Sequence, residues 1–540
     1  MNFLSFGKFS QIEYKRMDFA AVKRCLRILI RQFERAEDFE CAEKALLGIE
    51  RLMSEVHTNA TVCSIRHTVN TADVFYESEM KFINKSLVMM MGVSKRYTKC
   101  LLRTPYRKQF SDKYGEVIFK NAEADYRLSS LKIIPLLLKI NKLTMEYSKL
   151  LASQSVAFGG EKCNFYGLLK HMENPGREVR KQAMAAWSEA YRKIAPRLDA
   201  IYAGLVKLRR KKAKRLGFKN YVDMVYLERY RFDYNEKDVE FFRGEVLKHI
   251  TPLCAELVKK QAERLGVDKL KYYDEKLFFP EGNADPTGTP EELVAAAQKM
   301  YREMSPESGE FFDFMVEHGL FDLETKLNKR LGGYCTVLPS YGAPFIFSNF
   351  NGTAADYGVL THEAGHCFNK YLALRQSKLL STVNATSEVS EIHSMTMELF
   401  ALPWAKEFFG ENTEKAVYVQ IADSLMSIPY MACVDEFQHK VFLGKKTDAA
   451  QLRILWSSLE KKYMPWRDYG GDEFLESGGF WMQKQHIFLY PFYYIDYALA
   501  QTCAYEFYGK SKADGKAAWG DYVKLCRAGG NDTYLNLLRY

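Results

Sequence analysis

The hydrophobic and polar positions of the chain repeat with the period of an α-helix over most of its length. The segment FAAVKRCLRILIRQFERAEDFECAEKALLGIERLMSEV (19–56) predicts two amphipathic helices, and SSLKIIPLLLKINKLTMEYSKLLASQ (129–154) predicts another long one. Glycines and prolines interrupt the pattern in VAFGGEKCNFYGLLKHMENPG (156–176). We therefore predict an N-terminal helical domain over 1–150 and a second, larger region over 151–540.

Strand signals are confined to one part of the sequence, from about 330 to 351. There RLGGYCTVLPSYGAPFIFSNFNG is broken by glycine and proline, and PFIFSNF is rich in residues that favour strands. Helical periodicity resumes at Asp356 and continues to the last residues. The predicted fold class is mainly α with one small β-sheet.

Composition and charge restrict the choice of partners. The chain has 540 residues, 47% of them hydrophobic, with a formal net charge of +10. The sharpest basic run is KLRRKKAKR (Lys207 to Arg215), a pattern also seen in nucleic-acid sites. Apolar Leu205, Leu208 and Leu216 recur beside it and Gly217 follows, as on the solvated face of a helix that ends there. We predict no nucleic-acid partner.

The cysteines and the apolar segments indicate in which cellular compartment the protein is expected. The eleven cysteines are scattered and include no CxxC pair, which favours reduced thiols in a cytoplasmic protein over a disulfide framework. The N-terminus carries charges too early for a secretory signal. We also expect no window near the roughly 18 uncharged apolar residues of a membrane-spanning helix.

The stretch THEAGHCFN contains the strongest chemical signal. On a helix, His362 and His366 share a face and can aim one ring nitrogen each at a single metal ion. Glu363 lies about 100° around the helix, within reach of a water on that metal. Small Ala364 and Gly365 allow another element to approach closely. The alternative is a pair of surface histidines.

A catalytic zinc site needs a third protein ligand and an open fourth position. The next acidic cluster is SEVSEIHSMTMELF, with Glu388, Glu391 and Glu398, far enough along for a second helix to cross back. Glu391 and Glu398 share a helix face, so one can ligate while the other supports the site. Glu388 lies one turn earlier on the same side, and spacing alone leaves the ligand open.

The segment WMQKQHIFLYPFYYIDYALAQ (481–501) concentrates histidine and tyrosine. Read as one helix, Tyr490, Tyr494 and Tyr497 share a face and His486 lies one turn before them. Such donors could stabilise an anionic tetrahedral intermediate, although an aromatic core helix is the alternative.

At these motifs the chain resembles the oligoendopeptidase F and thimet oligopeptidase family of zinc metallopeptidases. Glu391-Ile-His-Ser394-Met-Thr-Met-Glu398 matches the family pattern Glu-x-x-Ser-x-x-x-Glu, whose first Glu is the third zinc ligand. LRRKKAKRLGFKNY matches its R-x-x-x-A-K-x-L-G-F-x-N-Y helix. The resemblance covers about 160–530. It implies an elongated helical body with a deep substrate channel and the small sheet beside the zinc-binding helix.

The resemblance also implies roles for individual residues. One Zn2+ per chain is held by His362, His366 and Glu391, and Glu363 is the general base. Glu398 and Asp356 are expected to orient the histidines. His486, Tyr490 and Tyr497 are expected to face the metal, with the middle role open between Tyr493 and Tyr494, and Tyr494 placed among the substrate contacts.

Substrate binding is predicted from position rather than from pattern. Edge strands bind extended peptides through main-chain hydrogen bonds, so Ala343 to Asn349 is expected to pair with substrate, including Phe345 and Phe347. The predicted function is endopeptidase cleavage of short unfolded oligopeptides. A carboxypeptidase or dipeptidyl-carboxypeptidase, and a non-catalytic peptide-binding protein, are the alternatives. The sequence leaves the oligomeric state open.

Overall fold

The computed structural model describes residues 3–330, 332–377, 379–444 and 448–540, and most of them are helical. The chain is 73% helical with few strands, which confirms the mainly α fold class.

Residues 3–152 form helices and their connecting loops, with no strand among them. The α-helices are α1 (Phe19–Glu34), α2 (Phe39–Val69), α3 (Val74–Leu102), α4 (Arg107–Tyr114), α5 (Val117–Leu128) and α6 (Ile134–Ala152). The carboxylates of Asp18 and Asp38 accept backbone N–H groups at the starts of α1 and α2, which separates the two predicted helices. Helix α6 ends close to residue 150, and the domain boundary proposed there stays a prediction.

A β-hairpin that the sequence did not predict follows α6. Strands β1 (Val156–Phe158) and β2 (Glu161–Cys163) pair antiparallel across Gly159 and Gly160, whose φ angles are +61° and +85°. Glycine tolerates these angles, so the residues that signalled a helix break instead form a tight turn.

The middle of the chain is again helical. Its helices are α7 (Phe165–His171), α8 (Arg177–Arg215), α9 (Tyr221–Glu228), α10 (Glu236–Glu245), a π-helical turn (Val246–Ile250), α11 (Thr251–Leu265), α12 (Pro290–Met304) and α13 (Pro306–Glu317). The basic run forms the end of α8, and Gly217 follows with φ +84°, as predicted.

A three-stranded sheet lies next along the chain, with the strand order β3, β5, β4. Strands β3 (Phe321–Glu324) and β5 (Ala343–Phe350) are parallel, and β4 (Tyr334–Leu338) is antiparallel to β5. The sheet therefore begins earlier than the predicted 330, and residue 331 lies outside the described part. Because β5 is central, its main chain is bonded on both sides.

The C-terminal region holds the helices that carry the predicted site. They are α14 (Ala354–Gln376), α15 (Ser387–Ala401), α16 (Lys406–Phe409), α17 (Thr413–Leu443), α18 (Ala449–Tyr463), a π-helical turn (Leu475–Gly479), α19 (Gln485–Leu489), α20 (Tyr494–Ala513), α21 (Gly515–Ala528) and α22 (Tyr534–Leu537).

One helical stretch departs from the expectation about apolar segments. Lys406–Leu443 contains an 18-residue window with a mean hydropathy of 1.2, long and apolar enough to cross a membrane by length and composition alone. The expectation that no segment is apolar enough is therefore wrong here. Core helices of folded proteins meet the same criterion, and α17 carries Asp435 in a buried 2.5 Å ion pair with Arg243, as a core helix can.

Candidate metal centre and active site

Helices α14 and α15 cross closely at the metal motif. A Cβ atom on Gly365 would lie 2.6 Å from the carbonyl oxygen of His393 and 2.7 Å from the Cα of Ser394, so only glycine fits at this crossing. The small residue inside the His-Glu-x-x-His motif thus lets the second helix approach the two histidines. His393 itself is buried and is not one of the clustered ligands.

Three potential metal ligands converge between these helices. The Nε2 atoms of His362 and His366 lie 3.4 and 3.5 Å from Oε2 of Glu391. Two ligand atoms at about 2.05 Å from a tetrahedral zinc would be about 3.3 Å apart. Two imidazoles and a carboxylate at these separations fit a zinc ion with an open position. Glu388, the alternative ligand, is turned away and accepts a hydrogen bond from Tyr234.

Hydrogen bonds from neighbouring residues fix two of the ligands. Nδ1 of His362 lies 2.6 Å from Oε1 of Glu398, and Gln420 donates to the other oxygen of that carboxylate at 3.0 Å. With Nδ1 as the donor, Nε2 of His362 is free to bind a metal. The Ser394 hydroxyl donates to Oε2 of Glu391 at 3.1 Å.

Asp356 does not take the orienting role predicted for it. Its carboxylate accepts the backbone N–H groups of Asn351 and Gly352, at 3.0 and 2.7 Å, in the loop before α14. A carboxylate near a helix N-terminus commonly satisfies free N–H groups in this way. Asp356 therefore shapes the turn between the sheet and the metal helix rather than contacting a histidine.

Glu363 is a buried carboxylate beside the ligand cluster. It is 8% exposed, and its Oε2 atom has no hydrogen-bond partner among the described residues. Burial raises the pKa of Glu363, against the charges of His366 and His362 and a hydrogen bond from the backbone of Cys335. A buried carboxylate oxygen with no protein partner fits a group that binds a water or a substrate proton.

Electrostatics make the cluster attractive to a cation. Burial opposes ionisation of Glu391, but His366 and His362 outweigh it and hold the pKa of Glu391 well below its usual range. Conversely, Glu391 and Glu398 raise the pKa of His362 well above its usual range despite burial. A metal ion would replace the proton that the His362 imidazole otherwise retains.

The tyrosine-rich segment is not the continuous helix that was predicted. Helix α19 ends at Leu489, Pro491 follows, Phe492 has a φ of +63°, and α20 begins at Tyr494. Proline lacks an N–H and disfavours a helical residue before it, so the helix register restarts. The predicted shared face of Tyr490, Tyr494 and Tyr497 is therefore wrong, and Tyr490 lies in the link, 53% exposed.

The segment nevertheless gathers its tyrosines around His486. The ring centroids of Tyr494, Tyr493, Tyr497 and Tyr490 lie 4.8, 5.8, 5.9 and 6.1 Å from that of His486. Burial, with the charges of Lys484 and Arg229, lowers the pKa of His486 to about 3, so the imidazole is neutral. Burial and Glu391 raise the pKa of Tyr497, which keeps its hydroxyl protonated and able to donate.

Tyr493, which the sequence left open against Tyr494, is the tyrosine that contacts Glu391. Its hydroxyl donates to Oε1 of Glu391 at 2.5 Å, whereas the Tyr494 hydroxyl accepts from Lys484 at 3.0 Å. Tyr493 and Tyr497 are four residues apart, and their ring centroids lie 5.2 Å apart, as on one face of the helix that resumes after Pro491.

The predicted substrate strand is wrong because β5 has no free edge. Its residues Ala343, Phe345 and Phe347 are at most 1% exposed, and the Asn349 amide donates to the backbone of Arg330 and Gly332. The order of strands in a sheet is set by distant pairings, which position in the sequence does not reveal.

The free edge beside the metal cluster belongs to β4. Ile346 of β5 donates its N–H to Leu320, on the β3 side, so the opposing Cys335 directs its backbone groups away from β5. Pro344, opposite Val337, likewise has no N–H to offer β4. Cys335 and Val337 thus carry the outward backbone groups, and that of Cys335 reaches Glu363.

Fold and site together define a helical protein with a His-Glu-x-x-His metal centre completed by a glutamate from the next helix. The peptidase M3 N-terminal domain model matches residues 9–129, and the peptidase family M3 model matches residues 170–540. The chain belongs to peptidase family M3.

Individual relatives agree with this assignment. Oligopeptidase PepF of Bacillus subtilis (strain 168) is 23% identical over 397 residues, covering 71% of this chain and 56% of the relative. Oligoendopeptidase F, chromosomal, of Lactococcus lactis subsp. cremoris is 24% identical over 348 residues, covering 63% of this chain and 55% of the relative. The chain thus spans little more than half the length of these relatives. The solved structure of Pz peptidase A with inhibitor 2 matches with a TM-score of 0.93 and 42% identity, covering 98% and 94% of the two chains.

Proposed function

We propose that the chain is a zinc-dependent endopeptidase that cleaves internal bonds of short, unfolded oligopeptides. One Zn2+ per chain is held by His362, His366 and Glu391. Family membership supports peptide hydrolysis at a metal centre, and the names of the relatives supply the oligopeptide substrate class. The choice of zinc rests on the ligand set of two imidazoles and one carboxylate.

The observation that carries this proposal is the position of Glu363. Its unpartnered Oε2 is buried beside three clustered ligand atoms, on the same helix as both histidines. A non-catalytic peptide-binding protein has no need of a buried carboxylate at this point, where its desolvation is costly.

Each residue of the site takes a separate task. When bound, zinc polarises the scissile carbonyl and acidifies a water. Glu363 accepts the proton of the attacking water and passes it to the leaving amine. Tyr497 and neutral His486 donate hydrogen bonds to the carbonyl oxygen as it gains negative charge. Tyr490, half-exposed at the flank, stays a predicted third donor, and Tyr493 holds Glu391 in position.

The substrate main chain is expected to pair with the β4 edge in place of β5. The outward backbone groups of Cys335 and Val337 can bond an extended peptide largely without regard to its sequence. Such a peptide would run directly past Glu363. We also propose that the chain acts in cytoplasmic peptide turnover without a nucleic-acid or membrane partner, in line with its scattered cysteines, none of which forms a disulfide bond among the described residues.

A mass-spectrometric digest tests the function. Mixed peptides of graded length are incubated with the protein, with the protein plus a chelator, and with the chelated protein after zinc is restored. We expect internal cleavage of the short peptides, its loss on chelation and its return with zinc.

Other outcomes point elsewhere. Stepwise loss of residues from the C-terminus would replace the endopeptidase with a carboxypeptidase or dipeptidyl-carboxypeptidase. No cleavage by folded, zinc-loaded protein would leave a peptide-binding protein as the function.

A further inference from the structure

A cavity of about 410 Å³ lies beside the tyrosine segment, on the side of α8 and α9. Tyr490 lines it, as do Ala385, Thr386 and Ser387 at the start of α15, the helix that carries Glu391. The cavity is thus close to the proposed active site, although it contains none of the metal ligands.

Tyr493 connects this cavity with the metal cluster. The guanidinium of Arg229, which lines the cavity, lies 4.9 Å from the centroid of the Tyr493 ring. The hydroxyl of the same tyrosine donates to Glu391. A group bound in the cavity would therefore be one aromatic side chain away from the metal ligands.

The cavity wall carries more positive than negative charge. Arg209, Lys212 and Arg229 line it, against the single carboxylate of Glu228, which already pairs with Lys212. Two of these cations, Arg209 and Lys212, come from the basic run of α8. That run therefore places charge inside the fold as well as on the surface.

Arg209 is the cation with the least compensation. Its side chain is buried, with the residue 4% exposed, and its Nη2 donates to the carbonyl of Phe488 at 2.5 Å. Its Nη1 has no hydrogen-bond partner, and no carboxylate forms an ion pair with it in the described part of the chain. A buried guanidinium without a counter-charge is costly unless an anion binds beside it.

Asp496, a buried carboxylate that contacts the cavity-lining residue Ser387, is engaged by other groups. Asp496 binds Arg231 at 2.5 Å and accepts the Ser387 hydroxyl at 2.7 Å, whereas Arg229 lies 3.9 Å away. Asp496 therefore does not neutralise the charge of Arg209.

The start of α15 adds to the positive potential of this cavity. Thr386 precedes the helix without a side-chain cap, and its buried hydroxyl has no partner among the described residues. The N-terminus of a 15-residue helix favours negative charge, in the same direction as the three cations.

We propose that this cavity is a carboxylate subsite for the peptide substrate, with Arg209 as its central charge. The inference rests on the proposed peptidase function. The carboxylate has two sources, the C-terminus of a short peptide or an acidic side chain on one side of the cleaved bond. Both present the planar anion that a guanidinium binds with two parallel hydrogen bonds.

Four matched peptides distinguish the sources. One cleavable sequence is made with either a C-terminal acid or a C-terminal amide, and each of these forms carries either Glu or Gln at one chosen position. The set of four is repeated for each position beside the cleaved bond. A subsite for the C-terminus predicts a kcat/KM at least about tenfold higher for acid than for amide. A subsite for an acidic side chain predicts the same preference for Glu over Gln at one position.

Variants of Arg209 test whether the cavity causes the preference, measured as the ratio of kcat/KM for the preferred peptide to that for its matched partner. In Arg209→Gln we expect the ratio to fall to about one, and in Arg209→Lys to recover in part. Lys211→Gln is the matched control, because Lys211 is exposed on the same helix and the change in net charge is identical. Each ratio is internal to one preparation, so a lower fraction of active protein does not alter it.

The results separate the subsite from the peptidase function. Cleavage of all four peptides with equal kcat/KM by wild-type protein would overturn the subsite and leave the peptidase function standing. An unchanged ratio in Arg209→Gln would also overturn it. Cleavage of none would instead refute the proposed function. The wild-type ratios decide the matter even if Arg209→Gln does not fold.

Discussion

Two carboxylates in the first two turns of helix α15 are both buried but differ in their protonation. Glu388 and Glu391 lie one turn apart and are 0% and 3% exposed. Burial, reinforced by Asp496, raises the pKa of Glu388 to about 7, against the charge of Arg231. At Glu391 two histidines reverse the effect of burial and lower the pKa well below its usual range.

The difference shows that neighbours, rather than depth, decide what a buried carboxylate can do. Desolvation disfavours the charged form at both positions. At Glu391 two histidines outweigh burial, whereas at Glu388 the charge of Arg231 does not. Glu391 is therefore the carboxylate prepared to bind a metal. Glu388 instead retains its proton more readily, and its Oε1 atom accepts a hydrogen bond from the Tyr234 hydroxyl.

Removing the charge of Glu391 should have the greatest effect of the changes proposed for these carboxylates. Glu391→Gln should lower zinc affinity by more than about 100-fold, because loss of a ligand exceeds the loss of an orienting partner. Metal content after dialysis, measured by mass spectrometry, checks this. Glu388→Gln is the matched control on the same helix and should retain zinc. Equal zinc loss in both variants would contradict the assignment of Glu391.

A third buried carboxylate separates metal binding from turnover. Glu363→Gln should retain zinc yet lose about 10²- to 10⁴-fold in kcat, the usual contribution of a general base. Peptide cleavage and zinc content are measured on the same sample. An active variant would remove Glu363 from the base role.

Two tyrosines near Glu391 should separate metal binding from turnover in the same way. Tyr493→Phe should weaken zinc binding about 10- to 100-fold, since the hydroxyl bonds to Glu391. Tyr497→Phe should leave zinc content unchanged and lower kcat about 100-fold. Zinc titration and kcat distinguish them, and the reverse pattern would exchange the two roles.

Protonation of Glu388 should have a smaller effect, on the stability of the fold. Because the pKa of Glu388 rises from an ordinary 4.5 to about 7 on folding, the folded state binds more protons between these values. This contribution to stability is present below pH 4.5 and is lost as the pH rises to about 7. Glu388→Gln should remove this part of the pH dependence. Thermal unfolding of both proteins from pH 4.5 to 8 checks it, and parallel Tm curves would contradict it.

Local geometry explains why the clustering of the two histidines could be predicted. His362 and His366 belong to one uninterrupted helix, where spacing fixes direction. The choice of Glu391 over Glu388 depends on how α15 is rotated against α14, a tertiary contact that the spacing left open and the family resemblance supplied.

Other parts of the site depended on contacts or breaks that the pattern concealed. Pro491 restarts the helix register, which brings Tyr493 rather than Tyr494 to the ligand. The central position of β5 follows from its pairing with β3 and β4, and the cavity brings Arg209 together with residues far away along the chain.

Anomalous diffraction at the zinc edge, from crystals of zinc-loaded protein, would locate the metal itself. We predict one strong peak about 2.0–2.2 Å from Nε2 of His362, Nε2 of His366 and a carboxylate oxygen of Glu391. Glu161, Cys163 and His171 form the other cluster of potential ligand atoms in the described residues and serve as the internal comparison. No peak between α14 and α15, or a peak only at that second cluster, would contradict the account.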